Sequence, residues 1–407
     1  MAFSRYIDAI RRADWLNGER GRVYSLMGVI AFAVMAVWIL GRFMATPDGM
    51  GGDFLSFYAA SKLALTGQAA HAWNPDIHAA AEHAALKGSG GYLAFFYPPP
   101  YLLVCWPLAL LPYGWAALLW MVGTAALALF VLRVALRRTV PLIVLLAFPA
   151  VWINIGCGQN AALTLAILAA GFGLMDRRPV MAGLILGLMV IKPQLAILLP
   201  VVLGASQRWK TFVATGFSAL ALCAVAYVAI GNEGYAAFFA NTTYAREVLN
   251  RGLVDPALMQ SFYAALRVLG TPMRLAYAAQ ALLSLGVIGV AGVIAFRYRP
   301  DGLALGALAV SATAIATPFL LDYDLLITAL PLGWLVMRGA KDGFRDWEKS
   351  LLLAAFLLPL VTRKLAQLAH LPIAPLILLT VFALVAHRLM ATETAGKPFP
   401  VKALHAV

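Results

Sequence analysis

The stretch "AGLILGLMVIKPQLAILLPVVL", residues 182–203, is a long apolar run with a lysine and a proline at its centre. A run of about 20 apolar residues is long enough to cross a bilayer as a helix. Proline interrupts helical hydrogen bonding, so Lys192 and Pro193 predict two half-helices that meet at a break. A break and a charge at this depth are tolerated only inside a bundle or beside a water-filled cavity. The stretch therefore predicts a helical membrane protein with several crossings.

The composition of the whole chain points the same way. Of its 407 residues, 62% are hydrophobic and 12% are charged, and the mean hydropathy is +0.84; soluble domains contain roughly 25% charged residues. The net charge of +13 comes from short basic clusters between apolar runs. Such clusters are typical of topology signals and not of a nucleic-acid-binding surface. We therefore expect an integral membrane protein with no nucleic-acid partner.

The basic clusters also define an expected topology. Most of them fall in one set of loops, which the positive-inside rule assigns to the cytoplasm together with both termini. The chain is then an all-α bundle of about twelve transmembrane or half-membrane helices, with short interfacial helices in the first outer loop. We treat residues 1–407 as one domain, with motifs in 1–210 and a more variable helical half in 211–407. The expected outer loops are 45–96, 156–160, 231–272, 318–324 and 362–370.

Several polar residues collect on the outer side of this topology. Asp53 follows the first apolar run in "MGGDFLSFYAASKLALTG", residues 50–67, where a helix cap and a reacting acid are both compatible with the sequence. Lys192 lies roughly 18 Å along a helix from the nearest cytoplasmic arginines. Its charge therefore needs a partner nearby, such as a phosphate, Asp322 or Asp324. Each of these residues taken alone is equally consistent with a cap, an anchor or a snorkelling side chain.

The histidines do not indicate a metal site. His78 and His83 accompany Glu82 on a predicted interfacial helix, but their separation of five residues does not place both squarely on one helix face. The sequence also lacks a P-loop, a GxGxxG turn after a strand, an HExxH motif and a Ser-His-Asp order that this topology can assemble. We expect neither a metal nor a cofactor.

The order of motifs in the first half resembles one known family. Three segments carry the resemblance together with the stretch at 182–203: "GDFLSFYAASKLALTGQ" (52–68), "FFYPPPYLLVCWPLALLPYGWAALLW" (95–120) and "GQNAALTLAIL" (158–168). From Asp53 to Leu203 the chain looks like the GT87 family (DUF2029 type), which are polyprenol-phosphate-mannose-dependent glycosyltransferases with the GT-C fold. The second half is similar mainly in its hydrophobic layout.

The resemblance implies an activity and a place for it. Such enzymes transfer a hexose, typically mannose, from a polyprenyl-phosphate carrier to a lipid or glycan acceptor on the outer, periplasmic face of a bacterial plasma (inner) membrane. An acid in the first outer loop is their catalytic base, which corresponds to Asp53 here. The family often carries a late "SPxxWDH"-like pattern. This chain reads "TPFLLDYDLL" at 317–326, so the histidine is absent and Asp324 lies near its place.

The chemistry of such a transfer also fits the residues. A sugar phosphate already carries a good leaving group, so the enzyme needs a base for the acceptor hydroxyl and cations for the phosphate, without a metal. A single displacement inverts the anomeric centre. We expect Asp53 to be the base. The expected donor-phosphate ligands are Lys62, Lys192, Arg246 and Arg251, and the expected substrate-binding residues are Tyr58, Tyr97, Gln159, Asn160, Asp322 and Asp324.

Two other classes of protein are compatible with the sequence. A polytopic transporter or lipid flippase would also have broken helices and buried charge, but the halves show no inverted repeat. Outer loops of roughly 40 residues with aromatic content suit an acceptor platform better than a rocking transporter. The third possibility is an assembly subunit without catalysis. Turnover of a lipid-linked sugar by the purified protein separates the three.

Overall fold

The structure is a computed structural model that describes residues 2–45, 52–86, 92–250 and 254–394. Within these ranges the chain forms helices and no strand, apart from one isolated bridge between Met259 and Leu321. The α-helices are α1 (Ala2–Arg12), α2 (Gly18–Ala45), α3 (Gly52–Leu65), α4 (Pro75–Ala85), α5 (Pro99–Cys105), α6 (Tyr113–Leu118), α7 (Thr124–Ala135), α8 (Leu142–Leu146), α9 (Pro149–Cys157), α10 (Ala161–Leu174), α11 (Pro179–Gly187), α12 (Leu198–Ala205), α13 (Trp209–Asn250), α14 (Phe262–Val268), α15 (Met273–Tyr298), α16 (Gly302–Ala316), α17 (Ala329–Asp342), α18 (Glu348–Ala369) and α19 (Ala374–Thr394).

Short helices of other types link several of these elements. A π-helical turn, Leu119–Gly123, joins α6 to α7. The chain is also kinked at Gly231 inside α13. The 3₁₀ helices are Ala69–Trp73, Trp106–Leu110, Leu188–Ile191, Pro193–Leu195, Pro256–Leu258 and Asp322–Thr328.

The predicted all-α membrane fold is confirmed. Six helices of the described chain are long and apolar enough to cross a bilayer, and shorter apolar helices lie between them. Short helices α3 and α4 also follow the first apolar helix, as expected for the first loop. The six long helical segments are Gly18–Trp38, Tyr113–Ala135, Trp209–Tyr244, Met273–Tyr298, Glu348–Ala369 and Ala374–Ala391.

The helix break predicted at Lys192 is present. The 3₁₀ helix Leu188–Ile191 ends at Lys192, whose φ of −143° and ψ of 68° are not helical. A second 3₁₀ turn, Pro193–Leu195, follows before α12 begins. The lysine therefore lies between two half-helices, at the residue where the backbone leaves the helical path.

One apolar stretch forms two helices, and one predicted outer-loop boundary differs from the structure. The apolar run from Val140 to Ile155 is divided into α8 and α9, with Pro149 at the first position of α9 because proline fits a helix start. The predicted outer loop at 362–370 is helical as far as Ala369. Helix α18 continues through Pro359 and extends beyond its apolar residues.

Two helices, α10 and α16, occupy the centre of the bundle. All 15 residues of α16 are buried, as are most of those in α10, which is the pattern of a helix packed on every side. The Gly302 N–H donates to Asp176 at 2.8 Å, so α16 begins where α10 ends. The opposite ends of the two helices therefore converge, which brings residues just before α10 close to residues just after α16.

Candidate functional site

The start of α3 packs directly on the turn between α9 and α10. Gly158 has a φ of +67°, and a Cβ there would lie 2.7 Å from the Cβ of Phe54. Gly52 has a φ of +46°, and a Cβ on it would lie 2.8 Å from the Cys157 carbonyl oxygen. Both positions therefore require glycine, for the backbone angle and for the close approach. This contact places Asp53 beside Gln159.

Asp53 is held by a directed chain of hydrogen bonds. The Gln159 Nε2 donates to Asp53 Oδ2 at 2.6 Å. The Tyr97 hydroxyl donates to Gln159 Oε1 at 2.8 Å, and the Asn160 backbone N–H donates to the same oxygen at 3.1 Å. Two donors on Oε1 fix the orientation of the amide, so its NH₂ group must face Asp53. Among the described residues no donor is bonded to Asp53 Oδ1, which leaves that oxygen to receive a proton.

Lys192 forms a buried ion pair with Asp324. The Lys192 Nζ lies 2.5 Å from Asp324 Oδ1 and 3.0 Å from Asn160 Oδ1. The side chains are only 3% and 0% exposed, respectively. Asp324 Oδ2 accepts the Leu321 N–H at 3.3 Å, and the Tyr323 ring centroid lies 5.4 Å from Nζ. The charge predicted to need a partner thus has one.

A second ion pair extends the same group. Arg363 on α18 donates from one terminal nitrogen to Asp322 Oδ2 at 3.3 Å, and the Tyr323 N–H donates to Asp322 Oδ1 at 2.9 Å. Asp322 is 8% exposed whereas Arg363 is 45% exposed. We call the assembled residues the polar cluster: Asp53, Tyr97, Gln159, Asn160, Lys192, Asp322, Asp324 and Arg363.

The charged residues of the polar cluster affect one another's pKa values. Burial raises the pKa of Asp53 above its ordinary value; the Gln159 hydrogen bond and the Lys192 charge lower it, while Asp322 and Asp324 raise it. Burial likewise raises the pKa of Asp322, and the Arg363 charge opposes that rise. A carboxylate with a raised pKa is a stronger base than an ordinary aspartate once it is deprotonated. The arrangement suits proton transfer at Asp53.

Two residues predicted for the site lie elsewhere. The Tyr58 hydroxyl donates to the Leu111 carbonyl at 2.9 Å, and Lys62 Nζ donates to the Ala109 carbonyl at 3.2 Å. Lys62 is nine positions after Asp53 on α3, so it is ~14 Å further along the helix axis. The structure does not bring it to the polar cluster. Arg251 and the side chain of Arg246 lie outside the described residues.

A buried histidine and glutamate support the segment that carries Tyr97. His78 Nε2 lies 3.2 Å from Ser56 Oγ and 3.4 Å from Glu82 Oε1, and Glu82 Oε2 accepts the Leu93 N–H at 3.1 Å. The Trp73 indole N–H donates to the Tyr97 carbonyl at 3.0 Å.

The described residues contain no group of three or more His, Cys, Asp or Glu arranged to hold a metal.

Sequence reasoning missed Arg363 as a member of the site. The sequence does show two adjacent basic residues, Arg363 and Lys364, directly after an apolar run on the predicted outer side. Basic residues are uncommon there under the positive-inside rule. These two basic residues on the predicted outer side were therefore the sequence signal that could have identified Arg363.

The sequence matches the model of one known family. The model of glycosyltransferase family 87 matches residues 95–321, which is more than half of the chain. The matched region includes Tyr97, Gln159, Asn160 and Lys192; Asp53 precedes it, and Asp322 follows it directly. No curated protein and no solved structure matches the chain.

Proposed function

The chain belongs to glycosyltransferase family 87, and on that premise we propose that it transfers a hexose from a polyprenyl-phosphate donor to a lipid or glycan acceptor. Family membership makes it a glycosyltransferase, and the six long apolar helices make it an integral membrane protein. The identities of the donor, the sugar and the acceptor are part of what we propose. Mannose is the proposed sugar because the motifs resemble mannose-transferring members.

The contact between Asp53 and Gln159 carries the proposed mechanism. Gln159 holds one carboxylate oxygen at 2.6 Å, and the other carboxylate oxygen is the one that accepts the proton in this proposal. The acceptor oxygen attacks the anomeric carbon while Asp53 takes its proton. The bond from that carbon to the phosphate oxygen breaks, and the polyprenyl phosphate leaves with the electron pair. One displacement of this kind inverts the anomeric centre.

Cationic side chains stabilise the phosphate in this proposal. The leaving phosphate gains negative charge as the bond breaks, and a fixed positive charge lowers the barrier when it is near the developing charge. Lys192 is the predicted phosphate ligand that lies in the polar cluster. Two of its three N–H donors contact Asn160 and Asp324, and its side chain is 3% exposed, so in this proposal its positive charge acts on the phosphate from within the bundle. We propose that the reaction uses these side chains and no cofactor.

We further propose that the polar cluster faces the periplasm of a bacterial plasma membrane. Asp322 and Asp324 precede α17, whereas Arg338 and Lys341 lie in the last turns of the same helix. The polar cluster and these basic residues therefore lie at opposite ends of α17. Basic residues favour the cytoplasmic side, which supports an outward-facing cluster.

Sugar transfer by the purified protein tests this proposal. The full chain in lipid nanodiscs is given a polyprenyl-phosphate hexose with a radiolabelled sugar and a lipid extract as acceptor. We expect label to move from the donor to a new product, with polyprenyl phosphate released in equal amount. Movement of intact donor across liposomes without any new product would instead identify a flippase.

A further inference from the structure

The two cations of the polar cluster differ in exposure. Lys192 is 3% exposed and is paired with Asp324, which is fully buried. Arg363 is 45% exposed and is bonded to Asp322 by a single contact of 3.3 Å. A guanidinium has five N–H donors. Most of the donors of Arg363 therefore remain for a ligand that arrives from outside the bundle.

The position of Arg363 is fixed by its neighbour on α18. Thr362 is buried, and its hydroxyl donates to Gln260 Oε1 at 2.7 Å. The Gln260 N–H donates to the Leu320 carbonyl at 2.6 Å, two residues before Asp322. These bonds tie α18 to the segment that carries Asp322 and set the rotation of the helix. Arg363 is thus directed to the polar cluster by the fold.

The charges of Arg363 and Asp53 both act on one group, the Cys157 thiol. Burial raises the pKa of Cys157; Asp322 and Asp53 raise it further, and Arg363 lowers it. The Cys157 carbonyl oxygen also lies against Gly52, the residue before Asp53. The helix that ends at Cys157, α9, packs against both α3 and the Asp322–Thr328 helix. The proposed base and the Asp322–Arg363 pair therefore meet at the same end of α9, as a base and a phosphate ligand must for a displacement on one sugar.

The surface next to Arg363 is apolar and faces outward. Leu360, one turn earlier on the same face of α18, is 48% exposed, and Leu357 is 41% exposed. Both lie in a helix long enough to cross a bilayer. A lipid chain on this surface would end in its phosphate beside Arg363, so the charged group and the apolar surface match the two parts of a polyprenyl phosphate.

We propose that Arg363 binds the phosphate of the lipid-linked donor and that Asp322 orients its guanidinium. The inference rests on the proposed function, because it assigns a ligand to the donor of that reaction. Arginine suits the task because its planar fork forms two parallel bonds to a phosphate. The Asp322 bond occupies one N–H and leaves the remaining fork for the phosphate oxygens.

Lipid binding without sugar transfer tests this assignment. The probes are a polyprenyl phosphate without sugar and the matching neutral polyprenol, titrated against the full chain in nanodiscs. We expect Arg363→Gln to weaken binding of the phosphate lipid by about tenfold or more, which is the usual loss for a charge-assisted bond. Binding of the neutral polyprenol should change by less than about twofold. The matched control is Lys364→Gln, the next residue on the same helix and also exposed, which should retain wild-type binding.

A second variant tests whether the loss of binding comes from the lost guanidinium and not from misfolding. Arg363→Lys keeps the charge and loses the fork, so its loss of phosphate binding should be intermediate. Unchanged binding of the phosphate lipid by Arg363→Gln, or an equal loss in Lys364→Gln, would overturn the assignment. Sugar transfer by the wild-type protein is assayed separately on the same preparation. A phosphate-binding wild type that transfers no sugar contradicts the proposed function and leaves the Arg363 site intact.

Discussion

Lys192 and Asp324 are 132 positions apart in sequence, and their charged groups meet at 2.5 Å in a place that excludes solvent. Removing one partner of a buried pair leaves the other charge without compensation, which costs about 3–5 kcal/mol. We therefore expect Lys192→Met and Asp324→Leu each to lower the unfolding temperature in detergent strongly. The double variant should lose much less than the sum of the two.

A partly exposed ion pair provides the control for the single and double variants of the buried pair. Arg338 and Asp342 lie 2.9 Å apart with side chains 24% and 35% exposed, and exposed pairs contribute about 0–1 kcal/mol. Arg338→Met should therefore change the unfolding temperature little. Additive losses in the Lys192 and Asp324 double variant would show that the two charges do not stabilise each other.

The same pair shows what the sequence could and could not predict. The break at Lys192 depends on adjacent residues, so the apolar run and the proline were enough to place it. The position of Lys192 in the middle of the apolar run also predicted that its charge needs a partner. The identity of that partner, whether a phosphate, Asp322 or Asp324, could not be predicted, because it depends on how the break before α12 packs against the segment after α16, 132 positions away.

Two further residues mark the limit of sequence reasoning at the site. Lys62 and Asp53 belong to one short sequence segment, so both were predicted to be site residues. The segment is helical, however, and Lys62 lies further along α3, away from the polar cluster. Arg363 was missed for the converse reason. Its helix was expected to end with the apolar run at Val361, whereas buried contacts such as Thr362 to Gln260 carry α18 onward.

The bond from Gln159 to Asp53 predicts a change in pH dependence. A hydrogen bond to the charged carboxylate lowers its pKa, so removing the bond must raise the pKa. A base is active when deprotonated, and activity is lost as pH falls through its pKa. We therefore expect Gln159→Leu to lower kcat and to move the acid limb of the kcat/KM profile to higher pH.

Tyr97→Phe provides a graded comparison for Gln159→Leu. It removes one donor to Gln159 Oε1 but leaves the Asn160 N–H on that oxygen. The acid limb should therefore move in the same direction by a smaller amount. If Gln159→Leu lowers kcat without moving the limb, Gln159 contacts substrate and does not act through Asp53.

The orientation of the polar cluster can be measured with single cysteines. Asp76 on α4 and Lys341 on α17 are both exposed, and the proposed topology places them on opposite sides of the membrane. In intact cells, Asp76→Cys should react with an impermeant thiol reagent, and Lys341→Cys should react only after permeabilisation. The unmodified protein measures background from its three cysteines. Labelling of Lys341→Cys alone in intact cells would reverse the topology.

The substitution Asp53→Asn separates catalysis from a structural role in the first turn of α3. Because α3 begins at Gly52, Asp53 lies inside the first turn, and asparagine there loses only the favourable interaction of a negative charge with the helix N-terminus, about 0.3–1 kcal/mol. It occupies the same space beside Gln159 but cannot accept the acceptor's proton. General-base catalysis contributes roughly 10²- to 10⁴-fold, so the variant should insert, bind donor normally and transfer sugar at least about a hundredfold more slowly. Asp76→Asn is the matched control, since Asp76 lies in the first turn of α4 and should tolerate the change. Near-normal turnover by Asp53→Asn would leave Asp53 as a structural residue, because a base cannot be replaced by an amide.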